Sequence, residues 1–468
     1  MTIPEPDSAS IAAIAAESLA CPPGSPSIHE SVRTSVVRGR LRLWGTLSAL
    51  SLLDQALSSG ASFSANLLLA RWMPANVYGA FAVAFAAFLF VAGFHNVLIL
   101  EPMSVFGPAR YSDKLPAYLA SQVVIHAVFV GPLAVAVLLA AAVLARISPA
   151  TPLIEAVAGV GLAVPLLLLQ WLARRMCYLV QRPSVAAAGD AVYLAFVVAG
   201  LFWLARVDWL GSFSAFLLMG AGSALTGAVV FWRLGLFRPA VFGDALSSWR
   251  SVLRENWDYG RWLVGSTVLF NAATQAQMFL VAALLGLEAA GILRAMQIPS
   301  LAAIQVTTAA GLLVLPALSY DFGKGLFDRL RLKANLVSLV LVAGTLCFAA
   351  LMWVFTKPVE RLLFGGKYAA YAWLMPVLAL IPVCAGFAVG YSMALRAFQK
   401  PQFDLLANGV AAPVGVVSAA CFIHWWGLPG AAASLVITFF VSGLVNLLSF
   451  RRYPLGAAPD GAAGGVAA

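Results

Sequence analysis

Residues 54–79 read Asp54-Gln55-Ala56-Leu57-Ser58-Ser59-Gly60-Ala61-Ser62-Phe63-Ser64-Ala65-Asn66-Leu67-Leu68-Leu69-Ala70-Arg71-Trp72-Met73-Pro74-Ala75-Asn76-Val77-Tyr78-Gly79, and a counterpart follows 212 residues later. At that spacing Leu68-Leu69-Ala70 falls on Leu280-Val281-Ala282 and Gly79 on Gly291, across a turn between two apolar runs in each half. Gln55, Ser59, Ser62 and Asn66 stand at i, i+4, i+7 and i+11, one face of an α-helix. The second half presents Thr267, Asn271 and Thr274 under the same shift, and His95-Asn96 lands on Thr307-Thr308. Further on, Gln181-Arg182-Pro183 with Asp190 matches Gln399-Lys400-Pro401 with Asn408, at a spacing of 218. Two local matches in the same order predict a repeat of six helices. Six is even, so both copies keep one orientation and form two bundles related by an axis along the membrane normal, with a site expected at the repeat interface.

The composition places these helices in a bilayer. Of 468 residues 62% are hydrophobic and 10% charged, against roughly a quarter charged in a soluble domain. A hydrocarbon core needs about 20 apolar residues per spanning helix. Twelve runs fit, at approximately 44–70, 77–100, 117–145, 153–173, 184–205, 210–232, 262–286, 289–318, 333–356, 369–395, 403–425 and 428–450. The fold class expected is therefore all-α, a polytopic membrane protein with twelve transmembrane helices in two six-helix bundles. Nearly all of the 13 tryptophans fall near a predicted span end, as an interfacial belt requires. With the N-terminus inside, most Lys and Arg collect in the inner connections, among them Arg38, Arg40, Arg174, Arg175, Arg250, Arg254, Arg329, Arg331, Arg451 and Arg452. Missing or adding a helix would scramble that alternation, so both ends are expected in the cytoplasm. The net charge of +10 then records orientation more than ligand binding, and no nucleic-acid partner is expected.

The expected division is a cytoplasmic tail over 1–42, a first bundle over 43–235, a connecting loop over 236–261, a second bundle over 262–452 and a flexible tail over 453–468. The tails are rich in Pro, Ser, Gly and Ala, and the first carries Glu5, Asp7 and Glu17 where a secretory signal would be basic. Five scattered cysteines give neither a disulfide framework nor a zinc site. No phosphate loop, nucleophile elbow or metal-spaced His pair occurs, and the connections are short. An enzyme is not expected, nor a metal or cofactor.

What remains polar lies within the spans. Asp54 falls near mid-depth of the first span, and Arg294 one to two turns from the outer end of the eighth, followed on its face by Gln297, Gln305 and Thr308. A charge in hydrocarbon costs at least about 2.5–3.5 kcal/mol, so each should face protein or water. The stripes Gln55, Ser59, Ser62, Asn66 and Thr267, Asn271, Thr274, with Gln297 and Gln305, are then candidates to line one shared cavity. The alternative is that they bond helix to helix, with Asp54 and Arg294 paired to each other or to backbone. Arg174 and Asp190 are close enough across a helical hairpin to pair. His95, His126 and Glu101 are candidates for a proton relay.

The chain resembles the multidrug/oligosaccharidyl-lipid/polysaccharide exporter superfamily, in particular its bacterial polysaccharide flippase branch. The carrying residues are Ala65-Asn66-Leu67-Leu68-Leu69-Ala70-Arg71 with Tyr78-Gly79, Glu101-Pro102, Arg174-Arg175-Met176-Cys177-Tyr178 before Arg182-Pro183, and Leu363-Phe364-Gly365-Gly366-Lys367-Tyr368. The resemblance covers residues 43–452. It implies movement of an undecaprenyl-pyrophosphate-linked oligosaccharide from the inner to the outer leaflet of a bacterial plasma membrane by alternating access, with polysaccharide polymerases or co-polymerases as partners. It further implies a cationic pyrophosphate site, for which Arg294 is the first candidate, followed by Arg71 and Arg261. The drug-exporting branch relies instead on embedded carboxylates for cation coupling, and Asp54 keeps a cation-coupled small-molecule exporter as the alternative.

Overall fold

A computed structural model describes residues 50–452 except 52, 148–150, 237 and 399–401. The two expected tails, and the start of the first predicted span, lie outside the described residues. Eleven of the described helices are long and apolar enough to cross a membrane, and the shorter, more polar helix α1 (53–72) precedes them. In order come α2 (Ala75–Arg110), α3 (Leu115–Ile147), α4 (Pro152–Leu179), α5 (Pro183–Arg206), α6 (Ser212–Leu234), α7 (Pro239–Leu285), α8 (Leu287–Gly323) and α9 (Phe327–Val354). A short helix α10 (Thr356–Phe364) leads to α11 (Leu374–Ala397), α12 (Gln402–Trp426) and α13 (Leu428–Arg452). Large apolar side chains stand exposed along the outside, Leu313 and Leu339 among them, and Trp203, Trp209, Trp232, Trp353 and Trp425 are exposed near helix ends. The molecule is an all-α, multi-pass membrane protein.

The duplication is visible in the helix boundaries. α2 begins at Ala75 and α8 at Leu287, the same 212-residue spacing, and Pro74 in the first turn corresponds to Gly286 in the second, whose φ of 91° ends α7. Packing repeats as well. α3 lies on α4 as α9 lies on α11, α4 on α6 as α11 on α13, and α5 on α6 as α12 on α13.

The two bundles meet where α2 lies against α8, and matched residues make the contact. A Cβ at Gly79 would overlap the carbonyl of Leu287, and one at Gly291 would overlap the carbonyl of Ala75. These clashes are images of each other under the repeat, so a pseudo-two-fold axis passes between the two glycines. The missing side chains let the backbones approach closely. Gly79→Ala is expected to cost about 1–3 kcal/mol in thermal unfolding, since a helix backbone rather than a flexible tip must give way. Gly60→Ala, where a Cβ meets nothing, should change stability little.

One core cluster runs through both bundles on the side of the α1–α2 turn, from Leu69 and Phe81 through Phe216, Leu293, Phe364 and Leu374 to Leu435. This is the outer side in the charge reading. Toward the opposite side each bundle has its own cluster, around Met103, Leu172 and Phe231 in the first and around Leu318, Tyr391 and Phe398 in the second. The bundles thus share one core on that side, while on the other their cores are separate and α7 bridges to the first through Val252.

Two expectations need correction. Residues 239–261, expected as a loop, are the first part of the 47-residue helix α7. The reason is amphipathic spacing: Ala245, Val252 and Asn256 are buried at i, i+7 and i+11. That face lies on α3, where Ser121 and Ser248 share a hydrogen bond of 3.0 Å and Gln122 and Asn256 exchange two. The connection after α9 is also partly helical, because Glu360 and Phe364 of α10 are buried while its other face is exposed.

Candidate functional site

Arg294 lies two turns into α8, at the seam between bundles. Its guanidinium hydrogen-bonds the hydroxyl of Tyr78 on α2, and that hydroxyl donates in turn to Asn66 Oδ1 on α1 at 3.4 Å. Arg294 Nε is buried without a hydrogen-bond partner, and no carboxylate forms an ion pair with Arg294 among the described residues. A guanidinium brings five N–H donors, so much of its capacity remains for an anion. Three polar groups from three helices of the two bundles therefore converge on one point. Gln297, one turn further along α8, is buried, while Gln305 and Thr308 are exposed.

Asp54 does not pair with Arg294. It is fully buried in the first bundle, where Arg174 Nε and Nη2 both lie 2.7 Å from its Oδ2 and the hydroxyl of Tyr178 donates to the same oxygen. Arg174 Nε also stands 3.2 Å from Asp190 Oδ2, as the helical-hairpin spacing predicts. Arg174 Nη2 donates to Gln55 Oε1 at 3.1 Å. The network continues through Gln170, which donates to Asp190 at 3.1 Å and accepts from Ser223 at 2.7 Å. It ties α1, α4, α5 and α6 together. Asp54 lies level with Arg174, one to two turns from the end of α4, rather than at mid-depth. A cation partner three helices away in sequence is invisible to periodicity.

The matched stripes divide between seam and own-helix bonds. Asn271 and Thr267 of α7 face Gly93 of α2, close enough that a Cβ there would strike both. Their counterparts Ser59 and Gln55 bond along α1, Gln55 donating to Ser59 at 3.3 Å. Asn66, Asn271 and Thr274 each donate to a carbonyl one turn back, and Ser62 is exposed. Gln277, not singled out by the sequence, bridges α7 and α13 by donating to Thr438 at 3.0 Å.

The outer side is held by a set of contacts between bundles. Arg71 Nη1 donates to the carbonyl of Leu362 at 3.0 Å, so Arg71 braces α1 against α10. Lys367 Nζ donates to the carbonyls of Ala70 and Met73, and the Tyr368 hydroxyl to that of Ala70 at 3.0 Å. Glu360 accepts the backbone N–H of Tyr368 at 2.9 Å and fixes this turn. Gly365 and Gly366, at φ of 71° and 87°, bring Lys367 into place. Burial pulls the Lys367 ammonium below the usual lysine range. The motif Leu363-Phe364-Gly365-Gly366-Lys367-Tyr368 was legible in sequence, but its partner in the α1–α2 turn was not. Arg261 lies on the exposed inner stretch of α7, 3.9 Å from Asp258, and is not brought near Arg294 or Arg71.

Nothing at these sites resembles a metal centre: no group of three or more His, Cys, Asp or Glu gathers among the described residues. The sequence matches no protein-family model and no curated protein. Solved structures do match. A multidrug resistance MATE family transporter of the MOP superfamily, in an inward-facing conformation, superposes with a TM-score of 0.70 at 13% identity, covering 86% of this chain and 97% of that one. The lipid II flippase MurJ, inward closed, superposes at 0.68 with 12% identity, covering 87% and 88%. An outward-facing MATE family transporter gives 0.62 at 14% identity, covering 86% and 94%. The chain has the two-bundle, all-helical fold of these solved transporters.

Proposed function

We propose that this protein is an alternating-access transporter that carries an undecaprenyl-pyrophosphate-linked oligosaccharide from the inner to the outer leaflet of a bacterial plasma membrane, for polysaccharide synthesis. The observation that carries the reading is Arg294, a membrane-embedded guanidinium at the bundle seam with no carboxylate partner among the described residues. A planar fork of donors suits a pyrophosphate bidentately. Gln297, Gln305 and Asn271 offer the neutral donors and acceptors that sugars need, and the isoprenoid tail can stay in lipid while the head group crosses. With the interior negative, moving charge −2 outward gains about 4–5 kcal/mol per 100 mV.

A drug exporter driven through Asp54 is disfavoured by Arg174, whose guanidinium already pairs with that carboxylate. Polysaccharide polymerases or co-polymerases are the partners this function calls for. The test is binding of geranylgeranyl pyrophosphate to the full chain in nanodiscs, by displacement of a fluorescent analogue. Pyrophosphate is expected to bind more tightly than the corresponding alcohol by about tenfold or more, one charge-assisted contact being worth that much. Equal binding of the two would contradict an anion site.

A further inference from the structure

His95 on α2 and His126 on α3 form a buried pair that the binding reading above does not use. His95 Nε2 and His126 Nδ1 are 3.0 Å apart, the rings meet edge to face at 89°, and His126 Nε2 lies 3.1 Å from the carbonyl oxygen of Pro165 on α4. These distances fix the protons. A carbonyl only accepts, so His126 Nε2 carries hydrogen; in the neutral ring its Nδ1 is then bare, and His95 Nε2 must donate to it. That leaves His95 Nδ1 as a bare acceptor, and this atom is buried without a hydrogen-bond partner among the described residues.

From these we infer that the His95–His126 pair is a single-proton site that couples proton movement to the rearrangement of the two bundles, a property that rests on the alternating-access reading. A proton enters at His95 Nδ1 and forms a ring carrying two N–H groups. The Nε2 proton then passes to His126 Nδ1, so the charge is shared between the rings, and it goes no further because the Pro165 carbonyl cannot take the His126 Nε2 proton. The chain is a store with one port, not a wire. A wire through the bundle would leak protons, whereas a one-port store loads and empties through the same atom and depends on which side that atom faces.

The placement links the store to the seam. Immediately after His95, α2 widens into a π-turn over Asn96–Leu100, ahead of Pro102, which has no N–H for the carbonyl of Leu98. Gly260 of α7 packs on the Val97 carbonyl in that turn, and Gly93, two residues before His95, packs on Asn271. α2 itself lies on α7 and α8 of the other bundle. A charge arriving on the pair therefore acts on the helix that holds the bundles together.

No other titratable group competes for the proton in the described contacts. On α2, Glu101 accepts from Asn96 at 3.1 Å instead of joining the pair. On α3 the other titratable group at this end is Tyr118, with its hydroxyl buried. On α4, Arg174 is engaged with Asp54 and Asp190, and Arg175 and Tyr178 lie with it toward the inner end. On α7, Glu255 accepts from Tyr111 at 2.9 Å, Asp258 faces Arg261, and Tyr259 packs on Phe106. Neither histidine is paired with a carboxylate among the described residues.

The test uses the full chain in nanodiscs, native cysteines replaced by alanine, with spin labels at Arg206→Cys and Lys357→Cys on the outer ends of the two bundles. Between about pH 8 and pH 4 the ratio of outer-open to outer-closed distances is expected to change about tenfold, and less than about twofold in His95→Gln or His126→Gln. Two distance populations that ignore pH in the parent, or pH dependence retained in the variants, would overturn the proton site while leaving alternating access intact. A single population under every condition would overturn both. Nitrogen-15 histidine spectra of the parent, with His29→Gln and His424→Gln, give a second readout: two neutral Nε2–H rings gaining one proton between them are expected, and two rings that titrate independently overturn the proposal.

Discussion

Arg294→Ala is expected to lose about 30- to 700-fold in affinity for an isoprenyl pyrophosphate and to abolish transport, while the protein keeps or gains thermal stability. The affinity loss follows from charge-assisted contacts worth together about 2–4 kcal/mol. The stability result separates this residue from a structural arginine. Arg294 has no carboxylate partner among the described residues and one buried, unpartnered Nε, so removing it relieves a desolvated charge and leaves Tyr78 bonded to Asn66. Arg294→Lys keeps the charge without the fork and should recover only part of the binding. Displacement binding and thermal unfolding on the same preparations check both halves; a variant that unfolds early would make Arg294 a structural residue.

Arg174→Ala is expected to have the opposite signature. It leaves Asp54 and Asp190 as two buried carboxylates without a cation, and breaking such a pair costs about 3–5 kcal/mol. Asp54→Asn is milder, since Arg174 and Asp190 remain a neutral pair. The double variant Arg174→Ala with Asp54→Asn should recover part of the loss, because one of the stranded charges goes with the mutation. Thermal unfolding of the three variants measures this directly. Equal losses for Arg174→Ala and the double variant would mean that the charges are not what the network balances.

The repeat was readable in sequence because it rests on local register. The 212-residue spacing of Gly79 and Gly291 turned out to be the spacing of the helix starts and of the bundle contact itself. Residues 239–261 were misread because their polar face outweighs a narrow buried stripe, so hydropathy reported a loop where amphipathic spacing builds a helix. The candidate site was half legible. A lone arginine in an apolar run declares itself, and so does the Arg174–Asp190 pair one hairpin apart. The partners of Asp54 and Lys367 did not, as they are set by tertiary packing across 120 and about 300 residues. Likewise, nothing in the spacing of His95 and His126 announces that their rings meet at 3.0 Å.

The most direct test is transport in proteoliposomes. A polyprenyl-pyrophosphate-linked oligosaccharide bearing a fluorophore on its sugar is loaded into both leaflets, and an impermeant quencher added outside reads how much has become accessible. The full chain should make the inner pool accessible under an inside-negative potential, and Arg294→Ala should leave about half protected, as in protein-free vesicles. Export of an organic cation by the chain, with the pyrophosphate lipid unmoved, would contradict the account.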